Sequence, residues 1–477
     1  MTLKYDIVEY TRGRGLEVNL NPDTGKLYAH FIGVDDDQLS LFAGGVFDFV
    51  FSQNLAKRQS VQAWRVVKQG GYLVVSAAHD EITASEPPGG FDVVRHQSYN
   101  HGAQRLVVFK KRSDKQVNVR PEPWPEKSCC IVRYGGIGDM IQTSSILPGL
   151  KAQGYHITLN TDPSGHRIIK HDPNIDHFIL QDKNQVPNEE LGPYWKALSR
   201  RYSKFINLCE SVEATFLALP GRMPHLWPHD VRHARLNVNY MEHIHALAGV
   251  DLPPQDRFYP TPKEAAWASK QYRRITRFSD KLTKWDKKRG GNGTPTGGTV
   301  ILWTLSGSST HKTWPHLDQL LARLLVTYPD VFVVLVGDGL CKLLEIGWEN
   351  EPRIIERSGV WSVRETLAFA EIADLVIGPE TGVIASVAMR PVPKIIFMSH
   401  ASVENLTKYW TNTISLEPED CDCYPCHQLH YGKEYCPRDE ETGVAVCQAK
   451  ISVDATEAAI QTAMLYNDTK PKKERAV

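Results

Sequence analysis

Three groups of side chains in this sequence are spaced for chemistry. The first lies in RYGGIGDMIQTSSILPGLK, Arg133 to Lys151. An apolar run, Cys129-Cys130-Ile131-Val132, precedes it and reads as a short buried strand. Gly135, Gly136 and Gly138 then make a tight turn, and Met140, Ile141, Ile146, Leu147 and Leu150 mark a following helix. Asp139 sits where the turn meets the helix. A carboxylate there can cap the helix N-terminus. It can equally serve as a base, because α/β sheets present ligands beyond the carboxyl ends of their strands.

The second group follows the apolar run TVILWT (299–304): Ser306-Gly307-Ser308-Ser309-Thr310-His311-Lys312. Hydroxyls, a glycine and one ammonium in a loop after a strand suit a phosphate cradle. Gly378-Pro379-Glu380-Thr381-Gly382 ends another apolar run at a predicted helix start, where backbone N–H groups suit the same anion. His311 and His400 fall near these turns; a lone histidine is more often structural, and the same restraint applies here.

The third group is a cluster of cysteines. Five of the nine crowd into CDCYPCHQLHYGKEYCPRDEETGVAVC, with Cys423-x2-Cys426 followed by Cys436 and Cys447. A C-x2-C knuckle presents two thiolates to one ion, and two later cysteines complete a tetrahedral set for structural zinc or iron. In a long chain with no export signal, such a cluster suggests a metal rather than a disulfide framework. Free reduced thiols, or a set that uses Cys421, His427 or His430, are the alternatives.

The elements that must position these groups form three pieces. Residues 1–115 carry strand-like runs at 15–19, 30–35, 47–53, 71–78 and 105–111 and an amphipathic helix at 60–69, which suggests a small α/β domain. The polar, proline-bearing run 113–128 reads as a linker. Residues 129–265 alternate strands with helices, and residues 299–465 do so again. A helix from about Pro262 to Lys281 and the glycine-rich basic run 287–298 lie between them. Two doubly wound units in succession imply two Rossmann-like domains facing a cleft.

Bulk properties narrow the class. Of 477 residues, 55 are Lys or Arg and 55 are Asp or Glu, so the zero formal charge calls for neither nucleic acid nor an anionic surface. The start, MTLKYDIVEYTRGRG, has no apolar signal core, and no window approaches the ~20 apolar residues of a membrane span. A cytoplasmic protein is expected, with peripheral membrane association compatible.

The second and third pieces resemble glycosyltransferase family 9, the ADP-heptose heptosyltransferase-like enzymes. The resemblance rests on GGIGDMIQTSSILPGLK, HITLNTDPSGHRIIKHDPNIDHFI, LWTLSGSSTHKTWP, ADLVIGPETGVIASVAM and the cysteine segment, in that order over residues 129–465. It implies a GT-B fold and an inverting transfer from a nucleotide sugar such as ADP-heptose to a hydroxyl of a glycan, lipopolysaccharide or protein. It implies Asp139 as the base and Gly135, Gly136 and Gly138 as the acceptor-side loop. Ser308, Ser309, Thr310, Lys312, Glu380, Thr381 and Gly382 would hold the donor, and Cys423, Cys426, Cys436 and Cys447 a metal at 421–447. Two departures stand out. Glu380 replaces the family's usual Asp, and Ala385 occupies a position where the family commonly has His. Asp338 and Glu345 are candidates to read the nucleotide ribose.

Residues 5–112 resemble, more weakly, a class I S-adenosylmethionine-dependent methyltransferase. Val18-Asn19-Leu20-Asn21-Pro22 replaces the glycine-rich turn that lets backbone approach the cofactor, although Asp35 remains where a ribose-binding acid would sit. A degenerate domain for docking or acceptor recognition is therefore expected, without S-adenosylmethionine. The competing readings are a bifunctional methyltransferase–glycosyltransferase and a sugar-nucleotide-binding scaffold without turnover.

Overall fold

The computed structural model describes residues 3–18, 31–34, 36–53, 57–78, 91–99, 104–112, 125–182, 185–209, 218, 223–288, 298–307, 310–429 and 436–468. The chain is α/β, as expected, and its strands form three sheets. It divides into two compact units: residues 1–133, 153–166 and 174–206, and residues 134–152, 167–173 and 207–477.

The first unit carries two sheets. One is built from β1 (Gly15–Val18), β2 (Phe31–Val34), β3 (Phe47–Gln53), β4 (Val67–Ala78), β5 (Phe91–Tyr99) and β6 (Gln104–Lys111) in the order β2-β1-β3-β4-β6-β5. The first four strands pair in parallel, and β6 lies antiparallel between β4 and β5. Helix α1 (Lys57–Val66) covers a core of Leu16, Val50, Trp64, Leu73 and Val107. Strand β5 was not anticipated, because FDVVRHQSY mixes charged and polar residues and sits at the sheet edge. Of the positions weighed for a cofactor turn, Asn19 to Pro22 and Asp35 fall outside the described residues.

The other sheet of this unit holds β7 (Ser128–Val132), β8 (His156–Thr161), β9 (His177–Leu180) and β10 (Lys204–Asn207), ordered β10-β7-β8-β9. The chain's first residues are tied to its loops. Tyr5 donates to Glu190 Oε2 at 2.5 Å, Arg12 Nε to Asp182 Oδ1 at 2.8 Å, and Gly13 N to Asp182 Oδ2 at 2.9 Å. Gln185 Nε2 donates to the carbonyls of Val8 and Thr11, at 2.8 and 3.0 Å. Asp6, sealed from solvent, pairs with Arg95 and Arg201.

The second unit contains helices α2 (Ile137–Ser144), α3 (His229–Leu236), α4 (Tyr240–Ala248), α5 (Pro262–Lys288), α6 (Leu317–Thr327), α7 (Gly382–Ala385) and α8 (Val453–Asp468). Its sheet comprises β11 (Thr299–Thr304), β12 (Val331–Val336), β13 (Ile354–Glu356), β14 (Leu375–Pro379), β15 (Lys394–Phe397) and β16 (Thr413–Leu416). All pairings are parallel, in the order β13-β12-β11-β14-β15-β16. Numbered from its own first strand this is 3-2-1-4-5-6, the order of dinucleotide-binding Rossmann sheets. Every residue of β12, VFVVLV, is buried, as a parallel sheet covered on both faces requires. Leu317, Leu320, Leu321, Leu324 and Leu325 form the apolar stripe with which α6 covers one face. Strand β16 escaped notice because TISL is only half-buried. Among the described residues no helix is long and apolar enough to cross a membrane.

One buried carboxyl in this unit has a measurable consequence. Both oxygens of Asp256 are buried with no hydrogen-bond partner among the described residues. Burial pushes its pKa from 3.8 up to about 7, against the opposing pull of Lys394. The unfolded chain releases this proton near pH 4 while the folded chain retains it to about pH 7. The stability tied to Asp256 is therefore complete below its unfolded value and lost as pH rises through about 7. Asp256→Asn removes that titration, so its melting temperature should gain on the wild type from pH 5 to pH 8. A constant difference across that range would show that the carboxyl does not titrate there.

Candidate functional site

A doubly wound sheet opens a crevice where its strand order reverses, beyond the carboxyl ends of the two strands concerned. In the third sheet those strands are β11 and β14. The loop after β11 carries His311 and Lys312 in a short 3-10 turn, Thr310–Lys312, and the turn after β14 carries Glu380, Thr381 and Gly382. The topology thus brings both expected donor segments together. Ser308 and Ser309 lie outside the described residues, and Thr310 opens the 3-10 turn.

Lys312 and Glu380 form the centre. The Lys312 ammonium donates to the Glu380 carbonyl at 2.8 Å and stands 3.8 Å from Glu380 Oε2. Their side chains are only 7% and 3% exposed, so each charge depends on the other. Glu380 Oε1 accepts from the amides of Ser399 at 2.8 Å and Ala401 at 3.2 Å. Oε2 accepts from Ser399 Oγ at 2.8 Å and lies 2.6 Å from His400 Nδ1. Burial pushes the Glu380 carboxyl pKa upward, but His400, Lys312 and the Ser399 amide outweigh it and hold the group well below the usual range. Lys312 is lowered by burial, while Glu380, Asp139 and Cys426 favour its charge. The extra methylene of Glu380 thus carries its carboxylate to the 399–401 turn.

Asp139 joins the same unit. Its Oδ2 accepts from Gly136 N at 2.7 Å, so it does cap α2. The other oxygen, Oδ1, accepts from the Tyr240 hydroxyl at 3.4 Å. Tyr240 starts α4, whose N-terminus is fixed by Asn239 Oδ1 accepting from Met241 N and Glu242 N at 3.0 and 3.1 Å. The cap bond and the Tyr240 hydroxyl together pin the side chain through both oxygens. Gly135 has φ +148°, and a Cβ there would fall 2.6 Å from Asp139 Oδ2. Gly136 is the N-cap of α2, and Gly138 faces the other loop. A Cβ on Gly382 would lie 2.3 Å from Ile137 Cβ and 2.8 Å from Gly138 N. The Asp139 turn and the Glu380–Gly382 turn therefore meet backbone to backbone.

Other expected residues are placed as follows. Thr381 Oγ1 lies 3.4 Å from Thr304 Oγ1. Ala385 is buried in α7, beside Gly138. Asp338 Oδ1 accepts from Leu340 N and Cys341 N, and Glu345 Oε1 from Ser358 N, so both carboxylates hold local backbone. The His311 ring lies 6.0 Å from that of His400. The contributions of Tyr240 and Ser399 had no signal in the sequence, since each depends on an approach across the fold.

The cysteine segment packs against the same turn. His427 N donates to the His400 carbonyl at 2.8 Å, Gln448 Nε2 to the Met398 carbonyl at 2.9 Å, and Arg232 Nε to the Cys426 carbonyl at 2.6 Å. His427 Nε2 is 3.0 Å from His233 Nδ1, and burial with neighbouring cationic groups drives the His427 pKa down to about 3. Cys421 and Cys423 sulfurs are 3.6 Å apart. Burial pushes the Cys426 thiol up to about 12, with Cys436 adding to it, and raises Cys447, with Cys436, Cys426 and Cys421 adding to it. The thiols thus share a neighbourhood, yet among the described residues no three metal-binding side chains converge on one point. His430 lies outside the described residues.

No protein-family model matches the chain, and neither does any curated protein. Solved glycosyltransferase structures are similar to it. The E. coli ADP-heptose lipopolysaccharide heptosyltransferase II is 12% identical, covers 72% of this chain and 100% of its own, and has a TM-score of 0.47. A glycosyltransferase family 9 protein from Veillonella parvula is 16% identical, with 71% and 97% covered and a TM-score of 0.48. The iron-containing dodecameric glycosyltransferase TibC of enterotoxigenic E. coli is 12% identical, with 72% and 80% covered and a TM-score of 0.44.

The backbone contact at Gly382 is open to a direct test. Gly382→Ala should cost roughly 1–3 kcal/mol through overpacking against Ile137 and Gly138. Urea denaturation would show a lowered midpoint. An unshifted midpoint would mean that the two turns do not approach this closely.

Proposed function

We propose that this protein is an inverting glycosyltransferase that moves a sugar, heptose among the candidates, from a nucleotide-sugar donor to a hydroxyl of a glycan, lipopolysaccharide or protein acceptor. One observation carries the reading. A positioned carboxylate, Asp139, and a buried ammonium, Lys312, flank the point where the Gly138 and Gly382 turns meet beside the reversal of a Rossmann-ordered sheet.

Such a transfer needs a base for the acceptor hydroxyl and fixed positive charge for the departing diphosphate. Asp139 is offered as the base. Oδ2 remains on the Gly136 amide, while Oδ1, steered by Tyr240, takes the proton. The acceptor oxygen attacks the anomeric carbon, the bond to the diphosphate breaks on the opposite face, and configuration inverts. Lys312 and the amides of the Glu380–Gly382 turn receive the negative charge. Thr381 and the hydroxyls of 308–310 complete the donor contacts. The N-terminal sheet is assigned to docking or acceptor recognition, and the three pieces 1–115, 129–265 and 299–465 to methyltransferase-like, acceptor-side and donor-side parts.

For the cysteines we propose a structural zinc or iron ion held by Cys423, Cys426, Cys436 and Cys447. Four thiols in one neighbourhood support it, and the ion would favour their thiolate forms against the burial that raises them. Its place is structural: it would brace the turn that holds Glu380.

Two measurements test this reading. Asp139→Asn keeps an oxygen for the Gly136 amide, so the variant should fold and bind donor while turnover falls ~10²-fold or more, the scale of general-base loss. Unchanged turnover would leave Asp139 as a cap alone. Elemental analysis of the purified protein should find about one zinc or iron per chain, by the logic of a four-thiolate site. A folded, metal-free protein would refute the ion.

A further inference from the structure

We propose that His400 is a second cationic contact for the diphosphate of the donor, acting beside Lys312. This rests on the nucleotide-sugar reading above and adds a residue to it.

The first argument is charge. A departing nucleoside diphosphate carries more than one negative charge, and Lys312 alone is a poor match. Its ammonium is already engaged by the Glu380 carbonyl at 2.8 Å and stands 3.8 Å from the Glu380 carboxylate. The pair is neutral, so the site needs another cation. Helix α7 offers none, since its sequence is Gly-Val-Ile-Ala.

The second argument is geometry. His400 Nδ1 lies 2.6 Å from Glu380 Oε2, which fixes the proton on Nδ1 and orients the ring. The acceptor carboxylate is itself immobilised by the Ser399 and Ala401 amides. His400 keeps 13% exposure while Glu380 has 3%. Nε2 has no partner among the described residues and is not among the buried polar atoms, so the free nitrogen is the one open to a ligand. A carboxylate behind one ring nitrogen and a ligand before the other is a device for holding an imidazolium in a set direction.

The third argument is place. The residue follows β15, the strand next to β14 on the far side from β11, and both 380–382 and 399–401 leave the sheet at the same edge. The charged and titratable groups around it are Glu380 from the end of β14, Lys312 and His311 from the loop after β11, and His427, whose amide donates to the His400 carbonyl.

The test uses the full-length protein and calorimetric titration with ADP, UDP and GDP and with the matching monophosphates. The wild type should bind at least one diphosphate. His400→Gln, whose amide can still reach Glu380, should weaken that diphosphate about tenfold or more, as loss of a charge-assisted contact does. It should weaken the monophosphate much less, and His400→Lys should restore most of the diphosphate affinity. Unchanged diphosphate affinity in His400→Gln, or an equal loss for both ligands, overturns the proposal. A second readout needs no variant. Diethylpyrocarbonate should acylate Nε2 of His400 in the free wild type, and the bound diphosphate should protect it, with the site mapped by mass spectrometry. Equal reactivity with and without the diphosphate overturns the proposal too. A wild type that binds no nucleoside diphosphate would instead remove the nucleotide-sugar reading itself.

Discussion

Glu380 and Lys312 are both sealed from solvent, and neither charge is tolerable there without the other. Taking a carboxylate and an ammonium out of water costs several kcal/mol for each ion, and attraction offsets this only with good geometry and further hydrogen bonds. Here the further bonds come from Ser399, His400 and Ala401, which use both oxygens of the carboxylate. Those residues are in turn held from behind. The His400 carbonyl is bonded by His427 and the Met398 carbonyl by Gln448, both in or beside the cysteine segment. The charge pair thus explains why a cysteine-rich stretch packs against the 398–401 turn.

The second constraint is steric. Gly382 and Gly138 allow two backbone turns to touch, and a single methyl group on Gly382 would overlap Ile137 and the Gly138 amide. That contact fixes where the Asp139 carboxylate stands relative to Lys312. A carboxylate held to its own helix through the bond from Gly136 has little rotational freedom left to lose. Its two oxygens have different partners, the Gly136 amide for Oδ2 and the Tyr240 hydroxyl for Oδ1.

Much of this was legible in the residues, and the reasons are specific. Strands β11, β12 and β14 are buried on both faces, so TVILWT, VFVVLV and LVIGP stand out as apolar runs. Turn chemistry marked Gly135–Asp139 and Gly378–Gly382 for the same reason: glycine is needed where backbone comes close. What escaped was whatever depends on a partner distant in sequence. Nothing in the string HASVEN announces that residue 400 will face residue 380, and nothing in NVNYMEH that Tyr240 will reach Asp139 across 101 positions. Strands β5 and β16 were hidden for a different cause. Both lie at sheet edges, where one side is wet and the apolar alternation is diluted.

The seam at the start of the chain bears on the order in which the protein can be finished. Tyr5 meets Glu190 across 185 positions, and Gly13 meets Asp182 across 169. During synthesis these opening residues emerge long before their partners exist. The buried Asp6 must likewise wait for Arg201. The entropic cost of closing so long a loop grows only slowly with length, so the delay is one of timing more than of free energy. The N-terminal sheet can assemble early from its neighbouring strands, but its opening segment has nowhere to settle until β9 and the residues after it have been made. Residues 5–13, made well before their partners, are thus among the last of their unit to lock.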